Sequence, residues 1–142
     1  KYDSFGNNIE ELNHGKHEKY SGKTIRKYDS NSNLVEELDY YKDGTLQSKI
    51  INKYDSNGNR VERLYYYQDH PLSRKWINKY DSNGNEIESL EYDSDGKRSR
   101  KLTTQYNNKN HPIEVLDYHS KIKFGKAQDV LDRKTTYEYE YY

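Results

Sequence analysis

Cysteine is absent from the 142 residues of the chain, so disulfide bonds, a thiolate nucleophile and a cysteine-ligated metal are excluded. No apolar run approaches the length of a spanning helix, and we therefore expect no membrane insertion. The chain begins at Lys1 without a signal peptide or an initiator methionine. Because Lys1 is in phase with a sequence repeat, we expect a processed protein or a part of a longer array.

A large apolar core and a charge imbalance are also missing. Only 30% of the residues are hydrophobic and 34% are charged, so the fold must be thin. Lysine plus arginine and aspartate plus glutamate both number 24, and the two signs alternate, which excludes nucleic acid as the expected partner. Such a composition is typical of disordered chains, but 17 regularly spaced tyrosines indicate order.

Tyrosine marks a repeat of 26 residues, which is the strongest signal in the sequence. The first tyrosine row comprises Tyr2, Tyr28, Tyr54, Tyr80 and Tyr106, and the second comprises Tyr40, Tyr66, Tyr92 and Tyr118. A glutamate row comprises Glu10, Glu36, Glu62, Glu88 and Glu114, and a lysine row comprises Lys23, Lys49, Lys75 and Lys101. We therefore predict a single array with units 1–26, 27–52, 53–78, 79–104, a degenerate unit 105–130 and a closing strand 131–142.

Each repeat carries two turn signals, one like Asp55–Asn59 and a weaker one like Asp93–Gly96, separated by runs of about eight residues. In the third repeat His70 and Pro71 occupy the second turn. Two strands per repeat predict an all-β fold, a single long antiparallel sheet or β-meander of about ten strands. Strand twist is expected to coil this sheet, with a face of tyrosine and leucine on the concave side.

The register follows from three-residue loops, which place Asp55 opposite Asn59 and Tyr54 opposite Arg60. Regular alternation from that pair predicts one face with Ile50, Tyr54, Glu62, Leu64 and Tyr66, and in the next repeat Trp76, Tyr80, Glu88, Leu90 and Tyr92. The opposite face would hold Lys49, Ile51, Lys53, Val61 and Arg63, with Glu37 and Asp39 as acidic neighbours of the lysine rows.

Aromatic side chains are the candidate binding residues: Tyr40, Tyr66, Tyr92, Tyr118 and Trp76. Aligned rings form a stacking platform, and without positive charge for phosphates the expected ligand is a sugar rather than a nucleic acid. The alternative is that these rings are only the packed interior. The glutamate row is a candidate for acid–base chemistry if burial raises its pKa values. However, repetition makes its members alike, whereas a catalytic pair needs different surroundings, so we predict no enzyme and glutamates bound to Arg74, Arg100, Asn52 or Asn78.

Two groups of residues could form metal sites, but the sequence favours neither. Asp55, Asn57 and Asn59 alternate like calcium ligands, but the same residue types cap their own backbone in turns. His14 and His17 could share a metal, but the sequence supplies no third ligand. We therefore expect no metal and no cofactor.

The segments Tyr54–Asn59, Tyr80–Asn85 and Tyr92–Gly96 resemble the YD repeats of bacterial RHS-type proteins, over about residues 1–118. In that family the repeats form long coiled β-sheets of extracellular proteins, and large members enclose a toxin domain. This chain is too short to enclose anything, so the resemblance implies the sheet and a secreted or cell-surface, outer-membrane-associated setting.

The expected function is that of a non-catalytic structural or protein-interaction module. The expected partners are proteins, or further copies joined through the sheet edges. The alternative is a carbohydrate-binding module that uses the concave tyrosine row.

Overall fold

The computed structural model describes residues 1–13, 22–68, 71–123 and 126–140. Its ten strands are β1 (Glu10–Asn13), β2 (Gly22–Tyr28), β3 (Leu34–Tyr41), β4 (Leu46–Tyr54), β5 (Arg60–Tyr67), β6 (Arg74–Tyr80), β7 (Glu86–Tyr92), β8 (Arg98–Tyr106), β9 (Pro112–Lys123) and β10 (Lys126–Thr136). They follow one another in chain order in one open antiparallel sheet. The predicted all-β meander is confirmed. A helix with the length and hydropathy needed to cross a bilayer does not occur in the described part of the chain.

The chain forms two compact units, Lys1–Lys75 and Trp76–Tyr142. The first contains β1 to β5 and the second contains β7 to β10, while β6 spans the boundary. The last strand, Lys126–Thr136, starts and ends earlier than the closing strand that we expected at 131–142.

The hairpin loops have the predicted geometry. The Asp55 N–H donates to the Asn59 carbonyl at 2.9 Å, the Gly58 N–H donates to the Asp55 carbonyl at 3.1 Å, and Gly58 has a φ of 83°. This is a three-residue loop whose last residue is left-handed, a conformation that glycine adopts without steric cost. Ser32 occupies the same position one repeat earlier, with a φ of 63°. There a side chain must tolerate the left-handed region.

Replacing Ser32 with glycine should therefore stabilise the protein. Relief of the left-handed strain outweighs the larger entropy of glycine in the unfolded chain, for a net gain of about 0.5–1 kcal/mol in the free energy of unfolding. Urea denaturation measures this gain. Ser30→Gly, in the same loop but without a positive φ, is the control and should lower stability. A loss of stability in Ser32→Gly would contradict the expectation.

Five strands that leave a hairpin loop, β3, β4, β5, β8 and β9, carry a β-bulge at the second residue. Tyr54 pairs with Arg60 as predicted, but the next pair is Lys53 with Glu62, so Val61 has no partner in the ladder. The same one-residue shift occurs between β2 and β3, β3 and β4, β7 and β8, and β8 and β9. A bulge of this kind adds one residue to one strand and so changes which side chains lie opposite one another.

The bulge makes the predicted division of side chains between the two faces wrong. One surface, here called the ladder face, carries Lys49, Ile51 and Lys53 on β4 together with Glu62, Leu64 and Tyr66 on β5. The other, the network face, carries Ser48, Ile50, Asn52, Arg63 and Tyr65. Glu62, Leu64 and Tyr66 therefore lie with the lysines and not with Ile50 and Tyr54, because the extra residue shifts the pairing by one.

Burial is confined to polar side chains among the described residues, and no hydrophobic side chain there is fully buried. The buried residues are Thr24, Ser48, Asn52, Asn78 and Asp117, all on the network face. Asp39 accepts hydrogen bonds from the Thr24 hydroxyl at 2.7 Å and from the Ser48 hydroxyl at 2.9 Å. These buried residues belong to a thin layer of hydrogen-bonded side chains, in which Asn52 Nδ2 donates to the Leu34 carbonyl while Asn52 Oδ1 has no partner.

Candidate binding surfaces

A ladder of ion pairs runs along the ladder face. Glu62 accepts from the Lys53 ammonium at 2.7 Å and from the Lys75 ammonium at 2.9 Å. The equivalent triads are Lys27–Glu36–Lys49 and Lys79–Glu88–Lys101. Each of these glutamates is mostly shielded from solvent, whereas the lysines keep part of their surface in water. Each glutamate thus joins three consecutive strands.

The glutamates of these triads have lowered pKa values. The hydrogen bond from Lys53 is the main reason why the pKa of Glu62 lies below its usual range, and the pKa of Glu36 is lowered in the same way by Lys27. The condition for acid–base chemistry, raised pKa values, is not met in these triads, and the predicted arginine and asparagine partners are wrong there. The bulge is the reason for the different partners, because it brings lysine opposite Glu36 and Glu62.

The predicted aromatic binding residues lie on two different faces. Tyr40, Tyr66 and Tyr118 stand on the ladder face, opposite Lys23, Lys49 and Lys101 respectively, and Tyr92 follows Leu90 by two positions on that face. All four rings are half-buried. Each lysine stem therefore shares the surface with a ring.

Trp76 belongs to the network face. It lines a cavity of about 70 Å³ with Ser89, Glu91, Arg100 and Leu102. These neighbours pair across β7 and β8, Glu91 with Arg100 and Ser89 with Leu102, on the face opposite Leu90. Trp76 is therefore not part of the tyrosine surface, and its cavity is too small for a sugar ring.

A charged cluster lies on the network face of the second compact unit. The Arg100 guanidinium donates two hydrogen bonds to the Asp117 carboxylate, at 2.8 and 2.7 Å, and Arg133 adds a third at 3.3 Å. The bond from Arg100 is the main cause that lowers the pKa of Asp117. His119 Nδ1 lies 2.6 Å from an oxygen of Asp132 nearby. These contacts tie β8, β9 and β10 together.

The tyrosines of the Tyr-Asp pairs have a structural role that the sequence did not indicate. The Tyr54 hydroxyl donates to the Leu34 carbonyl at 3.0 Å, and the Tyr106 hydroxyl donates to the Glu86 carbonyl at 3.1 Å. Both carbonyls belong to the first residue of a strand that leaves a hairpin loop, and beside Leu34 the ladder carries a bulge. Burial raises the pKa of Tyr54 and of Tyr106. These hydroxyls bind carbonyls at the start of a strand.

The aspartates of the loops act as backbone caps. One Asp55 oxygen accepts from the N–H groups of Asn57 and Asn59, each at 2.9 Å, and the other accepts from the Asn59 amide at 3.1 Å. The hydrogen bond from the Asn59 side chain is the main cause that lowers the pKa of Asp55. Because the Asn59 amide donates toward the carboxylate, this is Asx-turn geometry and not a set of converging oxygen ligands.

Histidines and carboxylates do not assemble into a metal centre in the described residues, where no group of three or more converges. His111 packs against Tyr139 with ring centroids 4.8 Å apart. His14, His17 and the turn at His70 lie outside the residues that the structure describes.

A larger cavity, of about 700 Å³, lies near the start of β2 in the first compact unit. It is lined by Leu12, Asn13, Gly22, Lys23, Ile25, Tyr40, Tyr41, Lys42 and Gly44. Tyr40 is the only one of the predicted binding residues among these lining residues. Sequence reasoning did not find this cavity, because it forms where one repeat departs from the others.

The sequence matches no protein-family model and none of the curated proteins. Solved structures do match. A protein of unknown function from Bacteroides fragilis has a TM-score of 0.58 at 14% identity, over 80% of this chain and 91% of that chain. This likeness concerns the fold alone.

Two TarM structures also match, both weakly. A crystal structure of TarM has a TM-score of 0.31 at 15% identity, over 73% of this chain and 18% of that chain. A Staphylococcus aureus TarM variant in complex with fondaparinux, α-GlcNAc-glycerol and UDP has a TM-score of 0.31 at 11% identity, over 76% of this chain and 21% of that chain. At this level of similarity neither bears on function.

Proposed function

We propose that the chain is a non-catalytic structural and protein-interaction module of a secreted or cell-surface bacterial protein, and that it assembles through the edges of its sheet. The observation that carries this proposal is the position of the exposed apolar side chains. Seven of the nine large apolar side chains that are exposed in the described residues belong to the two ends of the sheet, which makes the ends the best candidate contact surfaces.

The end formed by the first hairpin and β1 exposes Tyr2, Phe5 and Leu12, at 70%, 77% and 62% of their surface. The other end, formed by β10 and the residues after it, exposes Val130, Leu131, Tyr137 and Tyr139. Natural edge strands are usually short, charged or covered, because unpaired N–H and C=O groups recruit further strands. β10 is an edge of 11 residues with adjacent apolar side chains at its centre, which favours addition of a partner strand.

The contacts between the inner strands also support a structural role. The glutamate triads, the capped loops and the Asp39 network are repeated or shared contacts between neighbouring strands. Such nearest-neighbour contacts stabilise a repeat array as a sum of similar terms. The near-identity of the glutamates is the argument against catalysis, since acid–base chemistry needs two carboxylates with different pKa values.

The bacterial cell-surface setting rests on the resemblance of the Tyr-Asp loops to YD repeats. In the loop Asp55–Asn59, Gly58 supplies the left-handed residue and Asp55 the cap, so the resemblance extends to residues with a defined structural task. Fractionation of the bacterium that encodes the chain tests this part of the proposal.

Assembly through the edge is tested by light scattering across a concentration series. We expect the apparent mass to rise with concentration, and Val130→Lys to suppress that rise because lysine on an edge strand disfavours strand addition. Ile87→Lys is the matched control, since Val130 and Ile87 are both 37% exposed but Ile87 lies on an inner strand. A strictly monomeric wild-type chain at high concentration, or equal effects of the two substitutions, would contradict edge assembly.

The tyrosine row gives less support to the alternative, carbohydrate binding. A stacking platform needs uncovered ring faces, but Tyr40, Tyr66 and Tyr118 each stand opposite a lysine on the neighbouring strand. Trp76, the remaining member of the predicted set, lies on the other face.

A further inference from the structure

The cavity near the start of β2 has the composition of a ligand site. We propose that it binds a small organic anion that carries a ring, with the Lys23 ammonium holding the charged group and Leu12, Ile25 and Tyr40 contacting the ring. Leu12 and Asn13 of the lining belong to the β1 edge, but the strand that carries the test of edge assembly, β10, contributes none of the residues that line the cavity, so the two proposals can fail separately.

Lys23 is the member of its row that does not join the ladder. Its counterparts Lys49, Lys75 and Lys101 bind the glutamate row at 2.9, 2.9 and 3.3 Å. In the first repeat Glu10 is bound by Lys1 at 2.6 Å, and among the described residues Lys23 makes no ion pair. Its ammonium lies 6.0 Å from the centroid of the Tyr40 ring instead.

The charge of the lining favours an anion. Lys23 lines the cavity, and no acidic side chain is among the described residues that line it. Lys23 acts on Glu10 through charge alone, while Lys1 donates the hydrogen bond to that carboxylate. The Lys23 ammonium therefore gains a charge-assisted hydrogen bond when a carboxylate or phosphate arrives. At the other lysines of this row, a glutamate of the protein already occupies the position that the anion would take.

The apolar part of the lining favours a ring rather than a bare ion. Leu12 is 62% exposed, an unusual state for a leucine that adjoins a cavity, and Ile25 and Tyr40 complete the wall. The volume of about 700 Å³ falls within the range of about 300–1,000 Å³ that is typical of small-molecule sites. An inorganic ion would leave most of this apolar surface in water.

The cavity uses a feature of the first repeat. Gly22 contributes no side chain to the space, whereas the equivalent positions in later repeats hold Ser48, Arg74 and Arg100. Gly44, the left-handed residue of the β3–β4 loop, also lines the cavity without a side chain, and it recurs two repeats later as Gly96. The space at Gly22 therefore comes from a departure from the repeat.

Titration calorimetry with two matched pairs of probes tests the inference. A galacturonate disaccharide is compared with the neutral galactose disaccharide, and 4-hydroxybenzoate is compared with its amide. We expect at least one anion to bind about tenfold more tightly than its neutral counterpart, since a charge-assisted hydrogen bond is worth that factor or more. The pair that shows the preference distinguishes an acidic sugar from an aromatic acid.

Three lysine variants distinguish binding at this site from a general effect of the protein's charge. Lys23→Gln should weaken anion binding about tenfold, Lys23→Arg should retain it, and Lys49→Gln, which removes the same charge from the next repeat, should leave it unchanged. Lys23→Gln should also keep the wild-type unfolding transition, because Lys23 makes no ion pair in the described residues. The inference is overturned if neither anion binds, if the neutral probes bind equally well, if Lys49→Gln has the same effect as Lys23→Gln, or if Lys23→Gln unfolds the protein.

Discussion

Acidification from about pH 7 to pH 3 should remove much of the stability of the sheet, measured as the free energy of unfolding in urea. Four ladder glutamates, Glu10, Glu36, Glu62 and Glu88, have pKa values below the ordinary 4.5 because lysines donate to them. Four loop aspartates, Asp3, Asp29, Asp55 and Asp81, have pKa values below the ordinary 3.8 because asparagine side chains donate to them.

The direction of the effect follows from proton linkage. A carboxylate whose pKa is lower in the folded state contributes its full stability above the ordinary value, and loses it as the pH falls through the folded value. Stability should therefore be nearly constant from pH 7 to about pH 5 and decline below about 4.5. Lys53 contributes at the opposite end of the pH range. The pKa of Lys53 is raised above the ordinary 10.5 by Glu62, so its contribution is lost as the pH rises through that higher value.

Glu62→Gln isolates one triad. The variant loses the ion pairs with Lys53 and Lys75, so we expect a loss of about 1 kcal/mol at pH 7, a shallower decline with acid and no difference from wild type near pH 3. Glu138→Gln is the control, an exposed glutamate near the end of the chain, and should follow the wild-type curve. A free energy of unfolding that stays constant down to pH 3 would show that the ladder contributes nothing.

The hairpin loops could be predicted from the sequence because their information is local. An aspartate that caps two N–H groups and a glycine that takes a positive φ determine the loop length, and both are visible in Asp55 and Gly58. The pair of Tyr54 and Arg60 follows directly from that length. The number of strands and their order follow from the regular spacing of such loops.

The faces could not be predicted from the loops, because the bulge adds a residue after the loop has ended. Val61 is a β-branched residue, like many regular strand residues, so nothing in its side chain marks an unpaired position. Charge gives the missing signal. Only the shifted register places Lys53 beside Glu62, whereas the regular one would place Lys53 opposite Val61. In this hairpin, electrostatic pairing across strands was a better guide than separation of apolar from polar side chains.

The cavity near β2 was unpredictable for the opposite reason. Lys1 and Lys23 flank Glu10 in the sequence just as Lys27 and Lys49 flank Glu36, so the repeat predicts the same triad in both places. Among the described residues, only Lys1 forms an ion pair with Glu10. A sequence repeat predicts the contacts that its copies share. A site that forms because one copy differs from the others can be found only in the structure.

Gly22→Ala should cause the largest loss of stability of any single substitution discussed, about 3 kcal/mol or more in the free energy of unfolding. A Cβ atom at this position would lie 2.0 Å from the carbonyl oxygen and 3.2 Å from the carbonyl carbon of Tyr40. Both are backbone atoms of the neighbouring strand, so no change of side-chain rotamer relieves the clash and β2 must move away from β3. Gly22 pairs with Asn13 of β1 as well as with Tyr41 of β3, so both pairings are disturbed.

Gly96→Ala separates this clash from the ordinary cost of replacing glycine. Gly96 has a φ of 73° and open space around its Cβ position, so its substitution should cost only about 1 kcal/mol, from backbone conformation. Amide hydrogen exchange locates the effect, which should appear in β1, β2 and β3 for Gly22→Ala and in the β7–β8 hairpin for Gly96→Ala. If Gly22→Ala cost no more than Gly96→Ala, β2 and β3 would separate at this end at little cost. The cavity wall that Tyr40 provides would then be too loosely held to orient a ligand against Lys23.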